Sequence, residues 1–155
     1  ANLSVGWRGT PRAGTVLIQN EVPEAANLAL ARALPAEAML ILNAAPARET
    51  SAELLARVDV LVVNRVEAEQ MGGMDALRRG GAVIETLGGD GCRLGTSDGV
   101  THFPARAVDV VSTHGAGDAF CGALAAALDD GASLTAAIDR AQDHAAAHVA
   151  KSQTL

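Results

Sequence analysis

The 155-residue chain is poor in aromatic residues and cysteine, and it has no long run of apolar residues. Its aromatic residues are Trp7, Phe103 and Phe120, so its hydrophobic content of 49% is mainly alanine, valine and leucine, as is typical of a closely packed α/β protein. Two cysteines, Cys92 and Cys121, are too few for a disulfide-rich scaffold, and they show no CxxC spacing, so we predict a reducing, cytoplasmic setting. A net charge of −6 argues against a nucleic-acid partner, and the lack of an apolar run of about 18 residues argues against a membrane partner.

Apolar segments with the composition of buried strands alternate with segments of helical periodicity. We predict strands at 15–20, 38–43, 59–64 and 82–88, and two short strands within 92–105 around a turn at 97–99. Predicted helices begin near residues 23, 51, 66, 116 and 133, and the last two end near 130 and 150. This alternation indicates a three-layer α/β/α fold, Rossmann-like in kind, with a mainly parallel central sheet and helices on both faces.

Polar side chains stand at or just past the ends of several predicted strands. Open α/β sheets bind their ligands at the carboxyl ends of the strands, so these side chains mark a candidate binding site. The residues concerned are Glu21, Asn43, Asn64, Thr86 and His114.

The stretch STHGAGDAFCGALAAAL, residues 112–128, begins a predicted helix with unusually bare backbone. A helix N-terminus presents unpaired N–H groups and a partial positive charge, and glycine lets an anion approach the backbone closely. Gly115, Ala116 and Gly117 could therefore hold a phosphate group. Asp118 beside that anion is better suited to take a proton from an attacking hydroxyl group than to bind phosphate. An equally weighted alternative is that Asp118 caps the helix and the glycines only permit close packing.

Two other phosphate-binding patterns are absent from the sequence. A Walker A loop needs Gly-Lys followed by Ser or Thr, and the only lysine of the chain is Lys151. A dinucleotide fingerprint needs GxGxxG, whereas the chain offers GxGxxxxG from residue 115 and GxGxxxG from residue 89. A P-loop and a dinucleotide-binding turn are both excluded.

Several motifs, in order along the chain, resemble those of the ribokinase-like (PfkB) carbohydrate kinases and of their ribokinase subgroup in particular. STHGAGDAF resembles the family signature DTxGAGD, and NRVEAE at 64–69 is similar to the NxxE motif. QNEVP, LNAAPAR and ETLGGDG resemble QxExP, LNPAPAR and TLGxxG, at 19–23, 42–48 and 85–91. The resemblance implies a ribokinase-like fold and an ATP-dependent transfer of the γ-phosphoryl group of Mg-ATP to a hydroxyl group of a sugar such as ribose.

The resemblance also implies a role for each matching residue. Asp118 matches the catalytic base that lies at the sugar hydroxyl group, and Gly115, Ala116 and Gly117 match the anion hole over the γ-phosphate. Asn64 and Glu67 match a pair that acts on Mg²⁺ and the phosphates, largely through water. A sugar contact is implied for Glu21, and nucleotide contacts are implied for Thr86, Gly88, Gly91 and, near the adenine, Gln142.

The chain departs from the family pattern at two places. Ser112 replaces the signature's first aspartate, which in many relatives helps to hold a monovalent cation, so potassium activation is not expected. The segment ANLSVG at 1–6 resembles one midway through the family pattern. We therefore expect residues 1–155 to be a single domain, the C-terminal nucleotide-binding and catalytic portion of a sugar kinase, without the N-terminal half and its lid. Relatives often dimerise through that lid, so a homodimer is expected only of a full-length form.

Two alternatives to a sugar kinase remain open at this point. One is a truncated, non-catalytic nucleotide-binding or scaffold domain of the same fold. The other is a vitamin-type kinase that acts on a hydroxymethyl group, although QNEVP and LNAAPAR favour the sugar branch. His144 and His148 have the i, i+4 spacing of a zinc-binding pair, but no third ligand is evident, which favours a solvated or partly packed pair.

Overall fold

The computed structural model describes residues 14–150, which form a six-stranded sheet. The strands lie in chain order across the sheet: β1 (Thr15–Gln19), β2 (Met39–Asn43), β3 (Val60–Asn64), β4 (Ala82–Thr86), β5 (Cys92–Thr96) and β6 (Gly99–Phe103). β1 to β4 pair in parallel, whereas β4–β5 and β5–β6 pair antiparallel. The predicted, mainly parallel sheet is confirmed, and the two short strands predicted within 92–105 form an antiparallel pair at one edge of it.

Helices cover both faces of the sheet, as the alternation predicted. One face carries α1 (Glu24–Ala33), α2 (Ala52–Arg57), α3 (Arg65–Gln70) and α4 (Met74–Leu77), and the other carries α5 (Ala116–Asp129) and α6 (Leu134–Ala150). Within residues 14–150, none of the helices combines the length and the apolar character needed to cross a membrane.

The central strands bury side chains on both faces, which explains why their sequences are almost continuously apolar. In β2, Leu40 and Leu42 pack towards α1 to α4, whereas Ile41 packs towards α5 and α6. In β3, Val63 packs towards α1 to α4 and Val62 packs towards α5 and α6. Successive side chains of a strand point to opposite faces, so one apolar run supplies both cores.

The element bounds differ from the predicted ones where a turn intervenes. β4 ends at Thr86 rather than at 88 because the chain enters a 3₁₀ turn at Gly88–Asp90, and β1 ends at Gln19 rather than at 20. The helix α4 was not predicted, since four residues are too few to show a helical period. The segment 1–6 and Trp7 lie outside the described residues.

Replacement of Leu124 by alanine tests the α5 side of the core. Leu124 is completely buried against the sheet, so the Leu124→Ala variant should lose ~2–5 kcal/mol of the free energy of unfolding, through lost apolar burial and the cavity left behind. Equilibrium unfolding in urea measures this loss. Val66→Ala on α3 is the control, because Val66 is 59% exposed and its truncation should change stability by less than ~0.5 kcal/mol. Equal effects of the two substitutions would contradict this account of the core.

Candidate active site

The carboxyl ends of β2, β3 and β4 and the start of α5 enclose a cleft of about 230 Å³, here called the polar cleft. β3 and β4 pair with Asn64 opposite Thr86, which sets these two polar residues side by side at the rim. The polar cleft is lined by residues that the sequence singled out as strand-end or helix-start positions, namely Asn43, Asn64, Glu67, Thr86, Gly115, Gly117 and Asp118.

α5 begins without a side-chain cap, so its first amide groups remain available to a ligand. Gly115 precedes the helix in the left-handed region, at φ +75°, and its carbonyl oxygen accepts the first helical hydrogen bond from the N–H of Ala119 at 2.9 Å. The N–H of Ala116 donates to the carbonyl oxygen of Thr113 at 3.2 Å. Within the described part of the chain, the N–H groups of Gly115, Gly117 and Asp118 have no acceptor. The amides free to bind an anion thus include that of Asp118, while that of Ala116 closes a turn.

Asp118 itself is exposed on the first turn of α5 and lines the polar cleft. A carboxylate on this turn is favoured by the helix dipole, which accounts for part of its presence there. Its exposure leaves the carboxylate accessible to a second reactant that enters the polar cleft.

Asn64 and Glu67 form a reciprocal capping box at the start of α3. The Asn64 side-chain oxygen accepts the Glu67 N–H at 2.8 Å, and Oε2 of Glu67 accepts the Asn64 N–H at 2.8 Å. The capping box was not predicted. The sequence alone also allows Glu67 to be an exposed residue on the first turn of a helix, and that alternative is wrong, because Glu67 is only 6% exposed. The box holds a buried carboxylate in a fixed position at the wall of the polar cleft.

A second cavity, also of about 230 Å³ and here called the apolar cavity, adjoins the polar cleft. Thr86 and Gly117 line both spaces. The remaining wall of the apolar cavity is formed mainly by small and apolar residues, among them Gly88, Gly91, Val108, Val110 and Ala145, and Gln142 is one of its polar members. All four residues for which a nucleotide contact was expected, Thr86, Gly88, Gly91 and Gln142, therefore lie around this one cavity.

Gly91 and Gln142 also serve the fold, in ways that the sequence did not reveal. Gly91 has φ +89°, and a Cβ atom there would collide with the carbonyl oxygen of Phe103. The Gln142 side chain donates from Nε2 to the carbonyl oxygen of Pro104 at 2.9 Å and is only 8% exposed. Both residues thus fix the chain just after β6, in addition to lining the apolar cavity.

The expectation that His114 follows a strand end is wrong. β6 ends at Phe103, and residues 104–115, here called the β6–α5 segment, contain no strand. Without strand pairing, the backbone groups of the segment need other partners. The hydroxyl oxygen of Ser112 accepts the N–H of His114 at 3.2 Å, which closes a local turn.

α6 supplies further partners for the β6–α5 segment along most of its length. Nε of Arg106 donates to the Asp143 carboxylate at 2.6 Å. The N–H groups of Val111 and Ser112 donate to the carbonyl oxygen of Val149 at 2.8 and 3.3 Å. The segment that leads into the start of α5 is therefore positioned from α6.

Glu21 is not brought to either space. It is exposed in the turn after β1 and lines neither the polar cleft nor the apolar cavity. Its neighbour Asn20 is buried instead, and donates from its side chain to the carbonyl oxygen of Pro46 at 3.1 Å. A sugar contact of Glu21 stays a prediction.

Cys121 also lines the polar cleft, although the sequence did not indicate a role for it in a site. Its residue type predicts a buried small hydrophobic residue, and Cys121 is buried. The signal that could have found Cys121 is its position three residues after Asp118, on the same side of α5. Burial raises the pKa of the Cys121 thiol to about 12, and the carboxylates of Asp118 and Glu67 add to that rise.

The side chains of residues 14–150 contain no group of three or more His, Cys, Asp or Glu residues that could hold a metal ion. The alternative of a zinc site at His144 and His148 thus gains no third ligand. His144 is exposed, whereas Nε2 of His148 lies 2.8 Å from the carbonyl oxygen of His114. His148 is partly packed, as the sequence favoured.

The fold, the polar cleft and the ordered motifs define a member of the ribokinase-like class of carbohydrate kinases. The family model described as pfkB family carbohydrate kinase matches residues 11–155, and the chain belongs to this family.

Individual relatives narrow the resemblance within the family. The chain is 33% identical to a ribokinase of Lactococcus lactis over 138 residues, which cover 85% of this chain and 46% of the relative. A structure of Arabidopsis thaliana ribokinase complexed with ribose and ATP superposes with a TM-score of 0.81 at 26% identity, over 88% of this chain and 50% of that one. A structure of aminoimidazole riboside kinase from Salmonella enterica, complexed with aminoimidazole riboside and an ATP analogue, superposes with a TM-score of 0.75 at 30% identity. The superposition covers 92% of this chain and 59% of that one. The chain spans about half the length of the relatives it matches.

Both cysteines should be unreactive in the native state. Burial raises the pKa of Cys92 to about 11 and that of Cys121 to about 12, against an ordinary value of 9.0. A disulfide reagent such as DTNB at pH 8 should label neither thiol in the folded chain and both in denaturant. Rapid labelling of the native chain would contradict the burial.

The same shifts give a pH dependence with a definite sign. Because the folded pKa values lie above the ordinary value of 9.0, the thiols stabilise the fold fully below pH 9, and this contribution is lost as the pH rises through about 11. Urea unfolding at pH 8 and at pH 10.5 measures the loss. In the Cys92→Ala, Cys121→Ala double variant, the part of the pH dependence due to the thiols should disappear.

Proposed function

We propose that this chain is the nucleotide-binding and catalytic portion of an ATP-dependent sugar kinase. The observation that carries the proposal is the meeting of three features in the polar cleft: the free amides at the start of α5, the exposed carboxylate of Asp118 and the buried carboxylate of Glu67. Phosphoryl transfer asks a protein mainly to position its reactants and to stabilise charge, and these features are suited to that task.

In the proposed reaction, Asp118 takes the proton of a sugar hydroxyl group that enters the polar cleft. The oxygen atom of that group then attacks the γ-phosphorus atom, the bond from phosphorus to the bridging oxygen breaks, and ADP leaves with the electron pair. The N–H groups of Gly117 and Asp118 have no acceptor within residues 14–150, and they would donate to the oxygens of the transferring group. The partial positive charge of the α5 N-terminus adds to this stabilisation.

The two adjoining spaces suit the two ends of a nucleotide. The apolar cavity has the small, non-polar walls that fit a flat heterocyclic base, whereas the polar cleft has the donors that fit phosphate groups. Thr86 and Gly117, which line both, would lie beside the phosphate chain. The ATP of the Arabidopsis ribokinase complex and the ATP analogue of the Salmonella kinase complex support ATP as the nucleotide.

Glu67 is the residue that fits a magnesium ion. Mg²⁺ keeps several waters and needs only one or two protein carboxylates beside substrate phosphates, so the lack of a three-ligand cluster in residues 14–150 agrees with it. When bound, the ion would neutralise phosphate charge. The capping box commits one oxygen of Glu67 to the Asn64 amide and thereby fixes the direction of the other.

The proposed sugar is a pentose or a compound that carries one. The relatives described above include two ribokinases and a riboside kinase, two of them complexed with ribose or a riboside. The rival proposal is a non-catalytic nucleotide-binding domain, in which the polar cleft and the apolar cavity bind a nucleotide without transfer of its phosphoryl group. An ATP-binding chain that releases no ADP with any pentose would support the rival.

Replacing Asp118 by asparagine separates catalysis from binding. The substitution keeps the size of the side chain but removes the proton acceptor, so kcat should fall by ~10²–10⁴-fold while the Kd for ATP stays nearly unchanged. Release of ADP with ribose, and titration calorimetry with ATP, provide the two measurements. Asp130→Asn, at the exposed opposite end of α5, is the matched control and should keep full activity. Retained turnover in Asp118→Asn would remove Asp118 from the mechanism.

The Glu67→Gln variant tests the magnesium assignment without removing the cap. A glutamine oxygen can still accept the Asn64 N–H, so the free energy of unfolding should change by less than about 1 kcal/mol. The loss of charge should raise the Mg²⁺ concentration needed for half-maximal turnover. The measurement is turnover against Mg²⁺ concentration, with thermal unfolding in parallel. An unchanged magnesium dependence would exclude Glu67 as the residue that holds the ion.

A further inference from the structure

The last turn of α6 holds the backbone immediately before the amides at the start of α5. Nε2 of His148 lies 2.8 Å from the carbonyl oxygen of His114. One residue further along α6, the carbonyl oxygen of Val149 accepts the N–H groups of Val111 and Ser112. The attachment by His148 is the one that reaches the peptide unit next to Gly115.

The chemistry of the contact fixes the state of the imidazole ring. A carbonyl oxygen can only accept a hydrogen bond, so Nε2 of His148 must carry a proton. The partner is not an ordinary loop carbonyl, because the C=O of His114 and the N–H of Gly115 belong to one planar, trans peptide unit. A hydrogen bond that fixes the direction of the carbonyl group also fixes the opposite direction of the Gly115 N–H.

A second contact brings the same ring against Gly115. A Cβ atom at Gly115 would lie 3.2 Å from Nε2 of His148, so the imidazole packs directly beside the Cα atom of the glycine. Gly115 lines the polar cleft, and its φ of +75° is a conformation that other residues rarely adopt. The ring therefore fixes the orientation of the His114–Gly115 peptide unit, and it also fills the space beside the Cα atom of Gly115.

We infer that His148 is a positioning residue for the anion-binding amides at the start of α5. It touches neither the polar cleft nor the apolar cavity and acts through the His114–Gly115 peptide unit. Its function as a determinant of turnover rests on the proposed kinase activity, whereas its effect on the Gly115 and Gly117 amides does not.

Variants at position 148 test this role through a split between kcat and KM. His148→Leu removes the donor and should lower kcat by up to about tenfold with little change in the KM for ribose, because the amides matter most when charge develops. His148→Gln keeps an N–H donor and should restore most of the loss. His144→Leu, one turn earlier on the exposed side of α6, is the matched control and should leave kcat unchanged. Equal kcat values for the leucine variant and the native chain would overturn the inference.

Nuclear magnetic resonance tests the positioning role of His148 even if no turnover is found. The ring ¹⁵N signals of the native chain should show the His148 proton on Nε2, and a neutral ring with its proton on Nδ1 would overturn the inference without any substitution. His148→Leu should shift the amide signals of Gly115 and Gly117 and weaken their response to added pyrophosphate, with recovery in His148→Gln. Absence of turnover in the native chain would refute the kinase proposal alone, and unchanged amide signals in His148→Leu would refute the positioning role alone.

Discussion

The attachment of the β6–α5 segment to α6 is the constraint on which the candidate site depends. This segment has no strand partner, so its position is set by hydrogen bonds to α6, from Gln142 near its beginning to His148 near its end. α5 and α6 in turn share a core with the sheet through residues such as Leu124 and Ile138. The packing of this core thereby holds the free amides at the start of α5 against the strand ends. The geometry of the polar cleft is therefore determined by core packing outside the cleft.

Much of the fold could be predicted because its signals are local. Parallel strands buried on both faces give continuous apolar runs, and these runs predicted the strands β1 to β4 and their parallel pairing. The short helix α4 and the irregular path before His114 could not be predicted in this way. The helix α4 is too short to show a helical period. The path before His114 depends on contacts between residues far apart in the chain, such as the bonds from Val111 and Ser112 to Val149, which no local pattern records.

The candidate site was predictable where geometry follows from the sheet, and less so where it follows from side-chain contacts. Asn64 and Thr86 meet because they end neighbouring parallel strands, which the strand order alone implies. The reciprocal cap of Asn64 and Glu67 has a recognisable spacing. The same two residues match the NxxE motif, however, and that motif indicates contacts to Mg²⁺ and phosphate rather than a helix cap. Glu21 lies two residues past the end of β1 and still lies outside the polar cleft, so a position near a strand end is not sufficient for such a site.

The wall that the polar cleft and the apolar cavity share, at Thr86 and Gly117, has a consequence for inhibitor design. Two small molecules that each filled one space would bind side by side, with their facing ends at that wall. A single compound that joined an aromatic ring to a polyol through an anionic linker would occupy both spaces. Once one end was bound, the effective concentration of the other end at its own space would be on the order of millimolar, provided that the linker matched the distance between the two spaces. Selectivity among related proteins would then be sought in the linker, whose length the shared wall determines.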